Sequence, residues 1–209
     1  MPPLPATDLR RNLGTWTVPL ALAPAVAHVM TEALPLELFD PGFRGQCLET
    51  TYFDTAAFDL RRARKQGTRY LTLRLRCYQD SGSYALSAKT DSGKFRVPLD
   101  SASAAALLHG VLNDGLAGLL PDDLLALLVE LTEGRVLLPV VTVCFRRFAV
   151  EDEIDRLTFD LAIATDTGKS FPRAVLEYKS QLSGAAPPPG FSSLLRPIKL
   201  SKFLWATRT

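Results

Sequence analysis

Ala174-Val175-Leu176-Glu177-Tyr178-Lys179 is an apolar, strand-like run that carries a carboxylate and an ammonium two residues apart. Side chains two apart on a strand point to one face. Glu177 and Lys179 therefore share a face, and Ala174, Leu176 and Tyr178 take the other. Tyr70 to Tyr78 repeats the pattern with two arginines: Arg74 and Arg76 fall with Tyr70 and Thr72, opposite Leu71, Leu73, Leu75 and Cys77. Arg156, Thr158, Asp160 and Ala162 alternate in the same way against Leu157, Phe159, Leu161 and Ile163. Strands with one greasy and one charged face predict a sheet curved around a charged, wet interior.

The chain has 209 residues, which suits one domain, and its 47% apolar content is enough for a full core. The 24 basic and 22 acidic residues leave a net charge of +2, so bulk nucleic-acid or membrane binding is not indicated and any anion site must arise by local clustering. Cys47, Cys77 and Cys144 are far apart and without metal or redox spacing, which predicts buried free thiols in a reducing compartment. Met-Pro-Pro-Leu-Pro opens the chain without an apolar signal region, and Leu116–Leu131 is interrupted by Pro121, Asp122, Asp123 and Glu130. The expectation is a soluble, cytoplasmic protein with no transmembrane segment.

Residues 1–12 read as a disordered N-terminus and 13–209 as a single domain. A first strand is expected over Gly14–Leu22 and a helix over Pro24–Leu34, ended by Pro35. Cys47–Phe53 is strand-like, and Asp54-Thr55 can cap the short basic helix that follows and stops at Gly67. Tyr70–Tyr78, Tyr84–Lys89 and Lys94–Leu99, with turns at Asp80–Ser83 and Asp91–Gly93, predict a three-stranded meander. A helical insertion is expected over about 101–132, capped by Ser101 or Ser103, with a second helix starting at Pro121-Asp122-Asp123. Strands return at Leu137–Val150, Arg156–Ile163 and Ala174–Gln181, and Pro187–Gly190 reads as a loop. Strands, then a helical pair, then strands indicate an α+β fold on an antiparallel sheet or barrel.

A lone arginine pair is ordinarily a solvated strand face. Here further cations are spread one or two per strand: Lys89, then Lys94 and Arg96, then Arg146 and Arg147, then Lys179, with Lys202 near the C-terminus. Such a set suits a polyanion, because guanidinium forks fit phosphate oxygens and phosphoryl chemistry is mainly positioning and charge neutralisation. Glu177 is the first candidate ligand for Mg²⁺ or Mn²⁺ and Asp160 the second; ordinary salt bridges are the alternative. His28 and His109 lie far from any nucleophile pattern, and no glycine-rich phosphate loop opens a helix. Arg61-Arg62-Ala63-Arg64-Lys65 reads as a solvated helix face or an exterior anion patch.

Six blocks in order resemble the VTC domain of polyphosphate polymerases, a branch of the CYTH, or triphosphate tunnel metalloenzyme, superfamily. They are Thr51-Tyr52-Phe53-Asp54-Thr55, Leu73-Arg74-Leu75-Arg76-Cys77-Tyr78, Pro139–Ala149 with Phe145 and Arg147, Arg156-Leu157-Thr158-Phe159-Asp160, Phe171–Lys179, and Lys199-Leu200-Ser201-Lys202-Phe203. The resemblance implies an eight-stranded antiparallel tunnel with flanking helices. It also implies that Arg74, Arg76, Lys89, Arg147 and Lys179 act on substrate phosphates with Lys202 beside them and that Glu177 holds a divalent metal; the strand pattern itself adds Lys94 and Arg96 to the phosphate-binding set and Asp160 to the metal candidates. The implied partners are a nucleoside triphosphate and tripolyphosphate or polyphosphate, with a membrane-associated partner subunit possible and no nucleic acid.

The chain departs from that pattern in its acids. Thr15-Trp16-Thr17-Val18-Pro19-Leu20 stands where the superfamily alternates glutamates with a lysine, and Pro19 takes the basic position. Ser87 replaces a glutamate and Phe145 a tyrosine. Fewer carboxylates weaken metal binding. The expected function is polyphosphate-polymerase-like transfer of a terminal phosphoryl group; a triphosphatase of the same fold, a polyphosphate-binding sensor, or a plain scaffold with solvated charges are the alternatives.

Overall fold

The computed structural model describes residues 11–33, 44–67, 69–109, 115–182 and 195–208. Among them the strands are β1 (Arg11–Val18), β2 (Gln46–Thr55), β3 (Leu71–Tyr78), β4 (Ser83–Thr90), β5 (Lys94–Leu99), β6 (Leu137–Glu151), β7 (Asp155–Thr165), β8 (Ala174–Ser180) and β9 (Arg196–Pro197). The helices are α1 (Ala23–Ala33), α2 (Asp59–Gln66), α3 (Ser101–Leu108), α4 (Asp122–Thr132) and α5 (Lys202–Ala206). The strands form one nine-stranded sheet in the hydrogen-bonded order β5-β4-β3-β2-β6-β7-β8-β1-β9. Where eight strands closing on themselves were expected, the order is linear, with β5 at one end and the two-residue β9 at the other. Backbone contacts divide the chain into two compact units. One holds Glu49–Val143 and Lys202–Thr209, the other Asp8–Leu48 and Cys144–Ser201.

The first unit is built on the β3–β4–β5 meander. Leu75 stands opposite Leu86, Leu73 opposite Ala88, and Ala88 opposite Phe95. Period-2 alternation puts Leu71, Leu73, Leu75, Leu86, Phe95 and Val97 on one face. There they pack with Leu60 of α2, Ala104 and Leu107 of α3, and Leu127 and Leu128 of α4. Burying each such leucine contributes roughly 1.5–3 kcal/mol, so the helices are committed to this face. The cap of α3 differs from expectation: Asp100 is the N-cap, its Oδ1 accepting from the Ser103 N–H at 2.7 Å. Asp and Ser are comparable caps, and Asp100 wins because it is the last residue before the helix begins.

The end of β2 anchors α2 as its sequence predicts. Asp54, fully buried, accepts from the backbone N–H groups of Thr55 (2.8 Å), Leu60 (2.9 Å) and Arg61 (2.8 Å). Burial pushes the Asp54 carboxyl up, against those backbone hydrogen bonds. Thr55 donates from Oγ1 to Asp59 at 2.6 Å, and Arg62 and Arg135 reach the same carboxylate at 2.8 and 2.9 Å. Gly67, at φ +76°, closes the helix in the left-handed conformation. The basic face of α2 is partly engaged, Arg62 with Asp59 and Arg64 over the Tyr70 ring at 3.8 Å.

In the second unit β8 lies between β7 and β1. Glu177 faces Thr158 on one side and Thr15 on the other, and Leu176 faces Phe159 and Trp16. Leu157, Phe159, Leu176, Tyr178 and Val18 form the core of this unit, covered by Val26 and Met30 of α1. A Cβ on Gly14 would lie 2.2 Å from the Trp16 indole, so glycine is required where the ring folds back along the strand. Arg11 and Asn12, expected in an unstructured terminus, pair in β1 with Ser180 and Lys179. Residues 1–10, Pro35 and the Pro187–Gly190 stretch lie outside the described residues. The three cysteines are free and only half-buried, less enclosed than expected. No helix among the described residues is long and apolar enough to cross a membrane.

Burial alone would raise the Asp59 carboxyl, but hydrogen bonds from Thr55 and Arg135 and the charges of Arg135 and Arg62 hold it below its ordinary value. A carboxyl lowered in the native state adds stability above the unfolded-state value of about 3.9 and loses it as the pH falls through the native value. Arg135→Gln is therefore expected to lower stability at neutral pH, with the gap from wild type closing below about pH 4. Urea unfolding at pH 3 to 7 reads this, and a gap independent of pH would show that the pair does not supply the difference.

Candidate functional site

The strand register that buries the leucines dictates what the other face of the meander carries. Arg74 stands opposite Ser87, and Ser87 opposite Arg96. Thr72 stands opposite Lys89, and Lys89 opposite Lys94; Arg76 stands opposite Ala85. Arg74, Arg76, Lys89, Lys94 and Arg96 thus share one face of three adjacent strands. The residues interleaved with them are Thr72, Tyr78, Ser83, Ala85, Ser87 and Pro98, and among the described residues no carboxylate stands on this face of β3, β4 or β5. Ala85 and Ser87 are small and buried, forming the floor between the cations.

Two of the arginines bond to hydroxyl groups. Arg76 Nε donates to Thr50 Oγ1 on β2 at 3.2 Å. Arg96 donates from Nη2 to the Tyr78 hydroxyl at 2.6 Å and lies 5.3 Å over its ring. Among the described residues the Arg74 side chain makes no hydrogen bond or ion pair. Lys89 and Lys94 stand opposite each other in register. Tyr52 shares the Thr50 face of β2, and Phe203 of α5 stacks on it at 5.2 Å between centroids. That contact brings Lys202, the first residue of α5, to the β2 side of the cationic face.

The polar face of the second unit is composed differently. Arg147 grips Asp160 with two bonds, Nε to Oδ1 at 2.6 Å and Nη2 to Oδ2 at 2.7 Å. The pair is largely buried, with 15% and 2% of the two side chains exposed. Arg147 also lies 5.3 Å over the Phe145 ring, which takes the place of a phenol. Lys179 Nζ is 3.6 Å from Glu177, and Arg156 is 3.1 Å from Glu151. Each of these acids has a cation beside it.

The two acids expected as metal ligands, Glu177 and Asp160, each stand beside a cation. Asp160 already has both oxygens on a guanidinium, and Glu177 has an ammonium beside it and a threonine, Thr15, opposite on β1. Among the described residues no three His, Cys, Asp or Glu side chains group together.

Of the residues singled out from sequence, Arg74, Arg76, Lys89, Lys94 and Arg96 are brought to one face in the first unit, with Lys202 on the helix at its side. Arg147, Asp160, Glu177 and Lys179 lie in the second unit, in two ion pairs. Thr50 and the Tyr78 hydroxyl were missed as supports of Arg76 and Arg96. Thr50 lies two residues before Tyr52 on the same strand face, which is the signal that could have found it.

No family model matches the sequence, and no curated protein does. Solved structures match the fold. A "putative adenylate cyclase" from Bacillus halodurans superposes with a TM-score of 0.52 at 16% identity, covering 82% of this chain and 81% of that one. A "putative adenylyl cyclase" from Hippeastrum, with a dominant triphosphatase activity, gives 0.49 at 14% identity over 80% and 78%. Another from Vibrio parahaemolyticus gives 0.49 at 14% over 82% and 76%. The α+β architecture of this chain, an antiparallel sheet flanked by helices, is the CYTH-like fold.

Proposed function

We propose that this chain binds a linear phosphate anion, tripolyphosphate or longer polyphosphate, on the cationic face of β3, β4 and β5. The observation that carries the reading is the register, which gathers Arg74, Arg76, Lys89, Lys94 and Arg96 without an acid among them. A row of guanidinium and ammonium groups spaced along adjacent strands matches the repeating charge of a phosphate chain, and the Arg forks add bidentate contacts. The small floor at Ala85 and Ser87 leaves room for the anion between them. Lys202 extends the set. Arg147 and Lys179, also expected in this role from the sequence, stand beside Asp160 and Glu177 in the second unit.

The finer activity in this reading is polyphosphate-polymerase-like transfer of the terminal phosphoryl group of a nucleoside triphosphate. A phosphate oxygen of the acceptor would attack directly, so no protein nucleophile is required. This chain's residues would contribute orientation of the phosphates and neutralisation of charge as it develops. A second reading, binding without turnover, is favoured by the absence of any carboxylate from β1, Arg11–Val18. The two are separated by incubating the protein with ATP and Mn²⁺ and assaying for polyphosphate; hydrolysis would show instead as orthophosphate.

Calorimetric titration with tripolyphosphate tests the binding site. Arg74→Ala with Arg76→Ala is expected to weaken binding by at least about 100-fold, since each charge-assisted contact contributes roughly 1.5–3 kcal/mol. Unchanged affinity would remove the site. Lys179→Ala is expected to cost much less. Asp160→Ala should act on stability instead, lowering it by about 3 kcal/mol because it strands a buried guanidinium. A variant of normal stability would show that the Arg147–Asp160 pair is not structural.

A further inference from the structure

The basic run of α2 is a charged feature that the phosphate-binding reading leaves unused. Arg61, Arg64 and Lys65 stand at i, i+3 and i+4 of the helix and so share one flank. Arg62 is paired with Asp59 instead. Arg61 lies 5.6 Å over the Phe58 ring and Arg64 3.8 Å over the Tyr70 ring. The two arginines and both rings are half-buried, and Lys65 is exposed. Among the described residues the side chains of Arg61, Arg64 and Lys65 make no hydrogen bond or ion pair, and the Arg61 Nε is buried without an acceptor. Phe58 itself holds a left-handed backbone, φ +57°, which a bulky side chain rarely adopts. Two local rules are thus broken at the start of one helix, a pattern found where a fold meets a ligand.

We infer that this flank of α2 docks an acidic peptide segment of a partner protein, through carboxylates that meet Arg61 and Arg64. The inference stands apart from the phosphate-binding reading. A guanidinium stacked on a ring keeps its N–H edge for an in-plane carboxylate. Burial has taken water from Arg61 and supplied no acceptor in return, so an incoming carboxylate gains more there than at a solvated arginine. Spacing decides between a peptide and a phosphate group. Phe58 precedes the helix and Tyr70 follows it, so the two forks are drawn toward opposite ends of a helix of eight residues, about 12 Å long. Forks drawn apart in this way do not converge on one phosphate; they suit carboxylates on separate residues of a peptide. Arginine mixed with half-buried aromatic rings is also the composition of protein interfaces. The cations of β3, β4 and β5 stand instead among mainly small and hydroxyl residues.

Fluorescence anisotropy with a labelled oligoglutamate peptide tests this. Arg61→Gln with Arg64→Gln is expected to weaken binding by at least about tenfold, and Arg74→Ala with Arg76→Ala by less than about twofold. Because Arg61 and Arg64 are half-buried, Lys65→Glu at an exposed position repeats the comparison without touching either ring contact, with an expected loss of at least about threefold. No binding by the wild-type protein overturns the inference. So does a loss with the Arg74 and Arg76 changes as large as that with the Arg61 and Arg64 changes, and so does Lys65→Glu that binds as wild type. Calorimetric titration of the Arg74→Ala, Arg76→Ala protein with tripolyphosphate separates the two anions. The expected affinity is below that of the peptide. A higher affinity that is lost with Arg61→Gln and Arg64→Gln would assign the flank to phosphate chains and overturn the peptide assignment.

Discussion

The register of the β3–β4–β5 meander constrains the rest of the first unit. Leu73, Leu75 and Leu86 go under α3 and α4, where they cluster with Leu107, Leu127 and Leu128. A strand has only two faces. Committing the leucines to the helices commits Arg74, Arg76, Lys89, Lys94 and Arg96 to the opposite side together. The apolar core and the cationic face are one decision, and a one-residue slip in register would undo both. Arg76 and Arg96 are then steadied by Thr50 and Tyr78, hydroxyl groups that orient a guanidinium without cancelling its charge.

The second unit uses the same strand logic with a different outcome. Phe159, Leu176 and Trp16 turn to α1, and the polar side carries Arg147–Asp160, Arg156–Glu151 and Lys179–Glu177. A buried ion pair of this kind costs desolvation and gives specificity of arrangement in return only when both partners are present. The polar face of β3, β4 and β5 thus carries cations with no acid on the same three strands, whereas that of the second unit carries cations and acids side by side. The fold is CYTH-like, and on the polar face of the second unit Asp160, Glu151 and Glu177 each stand beside a cation.

Much of this was legible in the sequence because the strands are half-buried, the case in which alternation is clearest. The meander, the helical pair after it and the shared face of Glu177 and Lys179 all followed from period-2 reading and turn residues. Alternation places a side chain on a face but says nothing of its partner on another strand. Arg147 and Asp160 were therefore read as separate phosphate and metal candidates, whereas they are bonded to each other. Arg135 and Asp59, 76 residues apart, could not be paired by any local rule. The two-residue β9, which includes Pro197, is too short to carry a pattern, and eight strands were expected in place of nine.

The most direct test of the account is a crystal structure of the protein soaked with sodium tripolyphosphate in the absence of divalent metal. The account predicts phosphate oxygens within hydrogen-bond distance of the Arg74 and Arg96 guanidinium groups, above Ser87. Phosphate found instead on the basic side of α2, or on Arg147 with its bond to Asp160 broken, would contradict it.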